Sequence, residues 1–237
     1  MWKSFIKARM PRPLVFALQQ VAHEIQIARL HKQSVRQAAG LAERSPFKLN
    51  LASGHRPKEK WLNVDLFAPV ADLRLDLRRP LPFRDNAADY IYVEHFFEHL
   101  EYPNVTHSMG WEHEALGRSS EALQFLRECR RVLTAGGVLD VVVPDAEGMI
   151  SVYVARHDVE PGVAWWGPTW CDTQMHQVNY LFRQGRQHKY AYDEETLAKV
   201  LASTGFDCIQ RRSFDPAMDA PNHVIGSLCM TAKKPKN

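Results

Sequence analysis

From residue 47 onward the chain alternates short apolar runs with segments of helical periodicity, and this alternation limits the possible folds more than any other feature. A strand buried on both faces reads as a continuous run of Val, Ile and Leu. Such strands, separated by helices, predict a mostly parallel sheet covered on both sides. The pattern predicts strands near 47–52, 61–66, 72–75, 88–93, 137–143, 206–213 and 223–232, and helices over 95–100, 119–133 and 193–203. The expected fold class is therefore α/β, a doubly wound and mostly parallel seven-stranded sheet. The helix over 119–133 brings Leu123, Leu126 and Leu133 near one face, with Cys129 or Arg130 between them. Gly136 and Gly137 mark its end, being tolerant of the left-handed conformation that stops a helix.

Residues 1–46 read as a helical leader and 47–237 as the main domain, with an insertion at about 146–192 that covers the substrate. At 237 residues, 45% hydrophobic and 24% charged, the chain is composed like a globular domain, which excludes disordered and collagen-like classes. Cys129, Cys171, Cys208 and Cys229 are widely spaced, which suggests neither a zinc clip nor a disulfide framework and fits a reducing cytoplasm. No stretch reaches the length of a membrane span. The formal charge of +3 is uneven: residues 1–48 hold nine Lys and Arg against two acidic residues, and the rest hold twenty-one against twenty-five. Leu14, Leu18, Val21 and Ile25 recur at helical spacing after Pro13, predicting an amphipathic helix that packs on the body. Its sharper reading is a peripheral contact with an anionic membrane, with Trp2, Phe5, Ile6 and Phe16 as anchors. Nucleic acid is not an expected partner, because no basic patch interleaved with aromatic residues continues into the body.

The segment "FKLNLASGHRPKEKWLNVDLF" reads as a strand, a small-residue turn and a second strand ending in Asp65. Ligands of open α/β sheets bind beyond the carboxyl ends of the strands, so the turn Ala52, Ser53, Gly54 stands where a cofactor approaches the backbone. A carboxylate at Asp65 can accept from both hydroxyls of a ribose. The absence of G-x-G-x-x-G counts against a nicotinamide or flavin enzyme.

The order of "LNLASG", "LNVDL", "LDLRRPLPF", "ADYIYVEHFFEHL" and "RVLTAGGVLDVVVPD" resembles the class I S-adenosylmethionine-dependent methyltransferases. Within that family it is similar to the small enzymes of the type associated with surface polysaccharide synthesis. The resemblance covers about residues 47–145 and implies a Rossmann-like fold with S-adenosylmethionine as cofactor. It implies that Ala52, Ser53 and Gly54 lie under the methionine and ribose part of the cofactor and that Asp65 binds the ribose. Asp76 and Leu77 would contact the adenine, and Glu94 and His95 would border the transferred methyl group. Glycine is usual in the family where this chain has Ala52.

The segment "HFFEH" also matches H-x-x-E-H, in which His95 and His99 would hold zinc on one helix face with Glu98 as the base. A zinc hydrolase is thus a rival, but its position directly after a buried strand argues for no metal. His107 and His113 read as loop. The long segment after the fifth strand carries Trp165, Trp166, Trp170, Tyr180, Phe182, Tyr190 and Tyr192, and aromatic faces of this kind suit a small-molecule or saccharide acceptor. The stretch "QHKYAYDEETLAKVLASTGF" is similar to one in the family and makes His188 a candidate. Methyl transfer mainly needs alignment. A hydroxyl acceptor must also lose a proton, which His95, His188 or Asp145 could accept as the catalytic base. A non-catalytic cofactor-binding or scaffold protein of the same fold is the remaining alternative, suggested by Ala52 in the turn.

Overall fold

The computed structural model describes residues 11–40, 47–102, 120–155, 168 and 170–236. His107, His113, Trp165, Trp166 and the anchors Trp2, Phe5 and Ile6 lie outside the described residues. Among the described residues six strands form one sheet: β1 (Phe47–Leu51), β2 (Leu62–Val64), β3 (Ala88–Glu94), β4 (Leu133–Pro144), β5 (Asp207–Arg212) and β6 (Ser227–Lys233). Their order is β2-β1-β3-β4-β6-β5. The first four run parallel to one another, while β6 is antiparallel to both β4 and β5. The α/β class and mostly parallel winding are as expected. Leu49, Leu51, Ile91, Val93, Leu139, Val141 and Val143 have no exposed surface and form the centre of the core. This explains why the strands read as unbroken apolar runs.

The seventh expected strand, 72–75, is reduced to one parallel bridge between Leu73 and Val64. The next alternate donors leave the ladder: the Arg74 N–H donates to Ser34 Oγ at 2.7 Å and the Asp76 N–H donates to His31 Nδ1 at 3.2 Å. Both acceptors belong to helix α1 (Arg12–Ala39), which covers this edge of the sheet. The docked face of α1 buries Ile27, Ser34 and Ala38. Leu14, Leu18, Val21 and Ile25 are about half exposed, contrary to the expectation that they pack on the body. The polar contacts of His31 and Ser34 fix the rotation of the helix and turn that stripe outward.

Helix α2 (Glu121–Val132) starts at Ser120, whose Oγ accepts from the Leu123 N–H, and buries Leu123, Phe125, Leu126, Cys129 and Val132. It ends before the glycines. The carbonyls of Arg131 and Val132 accept from the N–H groups of Asn86 and Ala87, so the loop before β3 satisfies the helix end and Leu133 opens β4. The remaining helices are α3 (Ala146–Ala155), α4 (Gln174–Arg183) and α5 (Glu194–Ser203), the last capped by Asp193 accepting from the Thr196 N–H at 2.7 Å. The helix expected over 95–100 is a single 3-10 turn, Phe97–His99, preceded by His95 at a left-handed φ of 49°. His95 and His99 therefore do not share an α-helical face, and the zinc-hydrolase arrangement is not formed.

Candidate functional site

Strands β1 and β3 end side by side, and their tips deliver the turn Ala52–Gly54 and the carboxylate of Glu94 to one place. The turn is sharp because Ala52 and Gly54 both take left-handed φ values, 54° and 52°. The Asp65 carboxylate stabilises it by accepting from the N–H of Gly54 at 3.0 Å and from those of Phe67 and Ala68 at 2.8 and 2.7 Å. The result is a cavity of about 210 Å3 walled by Ala52, Ser53, Gly54, Glu94 and His223. Ser53 Oγ is buried there without a hydrogen-bond partner, and a Cβ built on Gly54 would meet nothing within 4 Å. This is a wall suited to a ligand lying against the backbone.

Glu94 and His223 form a pair across this wall, with Glu94 Oε1 2.9 Å from His223 Nδ1. The same oxygen accepts from the Ala220 N–H at 2.8 Å. Burial works to raise the Glu94 carboxyl, but the hydrogen bonds from His223 and Ala220 outweigh it and hold the group below the usual range. The loop carrying His223 is fixed by a buried ionic network. Arg212 on β5 donates from Nη2 to Asp219 Oδ1 at 2.7 Å and from Nε to Asp140 Oδ1 at 2.9 Å. The hydroxyls of Tyr92 and Tyr90 donate to Asp219 and Asp140, each at 2.9 Å. Tyr90 and Tyr92 stay protonated, because burial and the neighbouring carboxylates raise both. Sequence reasoning missed His223, Tyr92 and Asn222 because they meet the turn only through this network. A histidine just before a C-terminal strand was the one available signal.

A second cavity of about 560 Å3 shares His55, Arg56 and Lys58 with the first and adds Trp61. Lys58 Nζ lies 4.2 Å from the centre of the Tyr92 ring and donates to the Met218 carbonyl, and burial lowers its pKa.

The structure brings together only some of the residues expected at the site. Ala52, Ser53, Gly54 and Glu94 share the cavity, and Asp65 braces its turn from behind. Asp76 lies under α1, where Arg78 grips it from Nε at 2.9 Å and Nη2 at 3.0 Å, and Leu77 is buried in the core. Neither lines this cavity. His95 stacks on His223, ring centres 3.8 Å apart, and its Nε2 is 3.0 Å from Ser227 Oγ. Burial pushes His95 well below the ordinary histidine value. Asp145 accepts from the Gly148 N–H at 2.9 Å and from Arg211 at 3.1 Å, so it caps α3 and does not face the cavity. His188 is buried, its Nδ1 on the Leu181 carbonyl and its Nε2 turned to Glu98. Trp170 is exposed and packs edge-on against Tyr180. No helix among the described residues is long and apolar enough to cross a membrane.

The family model described as a methyltransferase domain matches residues 15–141, more than half of the chain. No curated protein matches it. Among solved structures, the chain is similar to a SAM-dependent methyltransferase, possible histamine N-methyltransferase, from Thermotoga maritima at 12% identity. That pairing covers 92% of this chain and 95% of that one, with a TM-score of 0.45. A SAM-dependent methyltransferase from Archaeoglobus fulgidus is similar at 14% identity over 89% and 94% of the two chains, TM-score 0.42. Human N-acetylserotonin methyltransferase in complex with SAM is similar at 17% identity over 86% and 51%, TM-score 0.44. These three distant likenesses add nothing to the family match, which stands on its own.

Proposed function

The chain belongs to the methyltransferase-domain family, an enzyme family whose methyl donor here is S-adenosylmethionine, and on that premise we propose that it methylates a hydroxyl or amine of a small, saccharide-type acceptor. The residues fit that donor: Ser53 Oγ is an unpartnered polar atom in the cavity wall, and Gly54 leaves room where a side chain would stand. When bound, the donor supplies an electrophilic sulfonium methyl, so alignment and, for a hydroxyl, removal of one proton are what remain to the protein. Ala52, Ser53 and Gly54 present backbone to the ligand, and Asp65 keeps their turn in shape. The adenine role read for Asp76 and Leu77 finds no support in this cavity.

The observation that carries the reading is the Glu94–His223 pair in the cavity wall. Glu94 holds Nδ1 of His223, leaving Nε2 as the ring atom that accepts the acceptor's proton. His95 supports that ring by stacking on it. The adjoining cavity favours a polyhydroxylated acceptor carrying an anionic group, since Trp61 offers a ring face and Arg56 and Lys58 offer positive charge. The test is transfer of labelled methyl to a panel of sugars, sugar phosphates and amines by the wild type and His223→Ala. The expected result is turnover lower by about 10²–10⁴-fold on a hydroxyl acceptor with donor affinity in calorimetry nearly unchanged. Full turnover in the variant removes the base from His223, and labelling confined to other acceptor classes removes the saccharide reading.

For the N-terminal helix we propose contact with an anionic membrane surface. The outward stripe Leu14, Leu18, Val21, Ile25 is continued along the same face by the exposed Arg29, Lys32 and Arg36. Co-sedimentation with vesicles rich in phosphatidylserine should be lost in Leu18→Asp/Val21→Asp and in vesicles of phosphatidylcholine alone. Equal sedimentation of both proteins with both vesicles overturns it.

A further inference from the structure

Beyond the methyl-transfer site, a second constellation lies below the tip of β3. Glu98 is buried, and neither of its carboxylate oxygens has a hydrogen-bond partner. Its Oε1 lies 3.8 Å from His99 Nε2 and 3.9 Å from His188 Nε2. One ligand-type atom from each of the three residues falls within 4.8 Å of the others.

The tautomers are set from outside. The other ring nitrogen of His99, Nδ1, is 3.2 Å from the Gln187 carbonyl, and that of His188 is on the Leu181 carbonyl. A carbonyl only accepts, so Nδ1 carries the proton in both rings and each Nε2 turns a lone pair toward Glu98. Three acceptor atoms thus converge on one point in the protein interior, and both imidazoles have the outer hydrogen bond that orients metal-ligating histidines.

We propose that Glu98, His99 and His188 form a site for one divalent transition-metal ion of the zinc class. Ligands 2.0–2.1 Å from a tetrahedral ion stand about 3.4 Å apart, so the two edges from Glu98 contract by roughly half an ångström, and the edge between the histidines, within 4.8 Å here, by at most about 1.4 Å, to close the set around it. Glu98 and His99 come from the 3-10 turn after β3, and His188 comes from the stretch between α4 and α5. The ion therefore joins two parts of the chain 89 positions apart. The backbone already brings them together, because the N–H groups of Lys189 and Tyr190 donate to the Glu98 carbonyl at 2.8 and 3.3 Å. Two histidines and a carboxylate leave a further coordination position open to a fourth ligand. This set differs from the H-x-x-E-H reading: Glu98 is a ligand, and His95, whose Nδ1 is 3.5 Å from Glu98 Oε1, is outside the set and stacks on His223.

The experiment uses the full chain, stripped with chelator, dialysed against zinc(II) and analysed for bound metal, with a parallel titration by cobalt(II). The wild type should retain one zinc per chain, melt at a higher temperature with zinc than without, and give the visible absorption of tetrahedral cobalt(II). His99→Ala, at a half-exposed position, should keep the wild-type circular dichroism spectrum and lose zinc affinity by at least tenfold. His176→Ala, at an exposed histidine paired with Asp172, should bind like the wild type. No retained zinc in the wild type, no cobalt absorption, or equal affinity in wild type and His99→Ala overturns the site. None of these readouts depends on methyl transfer, so this proposal and the acceptor reading fail separately.

Discussion

At the scale of single residues, backbone strain and buried charge are the two quantities that decide behaviour. Gly54 has a φ of 52°, and a Cβ there meets no atom within 4 Å, so Gly54→Ala suffers backbone strain alone. The expected cost is about 1 kcal/mol in urea unfolding, with a larger loss of donor affinity in calorimetry because the methyl group projects into the cavity. Asp219 has almost no exposed surface. Burial would raise its carboxyl, but Arg212, the Asp215 N–H and the Tyr92 hydroxyl outweigh burial and hold it below the ordinary carboxylate value. A group whose folded pKa is depressed contributes stability above its unfolded pKa, about 3.9, and loses it as pH falls through the lower folded value. Asp219→Asn should therefore destabilise the protein by about 3 kcal/mol at neutral pH and flatten the loss of stability below about pH 4, read from unfolding curves across pH. The turn Ala52, Ser53, Gly54 was legible because small residues at a strand end carry their position in the local sequence, whereas Glu94 was reached only through the family resemblance. His223 was not legible, because its partner lies 129 positions away.

At the scale of elements, periodicity identified β1, β3, α2 and α5 closely, since each buries a face whose apolar spacing is written in its own residues, while β4 begins four residues before its expected start. Boundaries failed where a neighbour supplied the stop. Helix α2 ends on the loop before β3, ahead of its glycines, and after Leu73 the N–H groups of Arg74 and Asp76 turn from the sheet to α1. That edge makes a prediction: Ser34→Ala leaves the Arg74 N–H without its acceptor beneath the helix and should cost about 1–2 kcal/mol in thermal or urea unfolding. Val21→Asp, on the exposed face of the same helix, should stay within about 0.5 kcal/mol of the wild type. A larger loss at Val21 than at Ser34 would mean that the helix docks by its apolar stripe after all.

At the scale of the whole molecule, burial sorts the four cysteines. Cys129, Cys171 and Cys229 are buried and Cys208 is exposed. Burial raises all three interior thiols, Cys229 to about 11. An aromatic disulfide reagent should label one thiol per native chain within minutes and four after unfolding. Two or more fast thiols would show that the cover of α2, of β6 or of the stretch before α4 opens readily. The sequence by itself determined the α/β class, the mostly parallel winding and the small-residue turn at the end of β1. Hydrophobic period and conformational tolerance are properties of adjacent residues, so they can be read along one dimension. Only the tertiary structure decided which polar groups meet: Glu94 with His223, Arg212 with Asp140, Tyr92 with Asp219, Glu98 with His188. Such pairs form between residues far apart in the chain, and their strength depends on distance and burial, neither of which exists before the sheet is assembled.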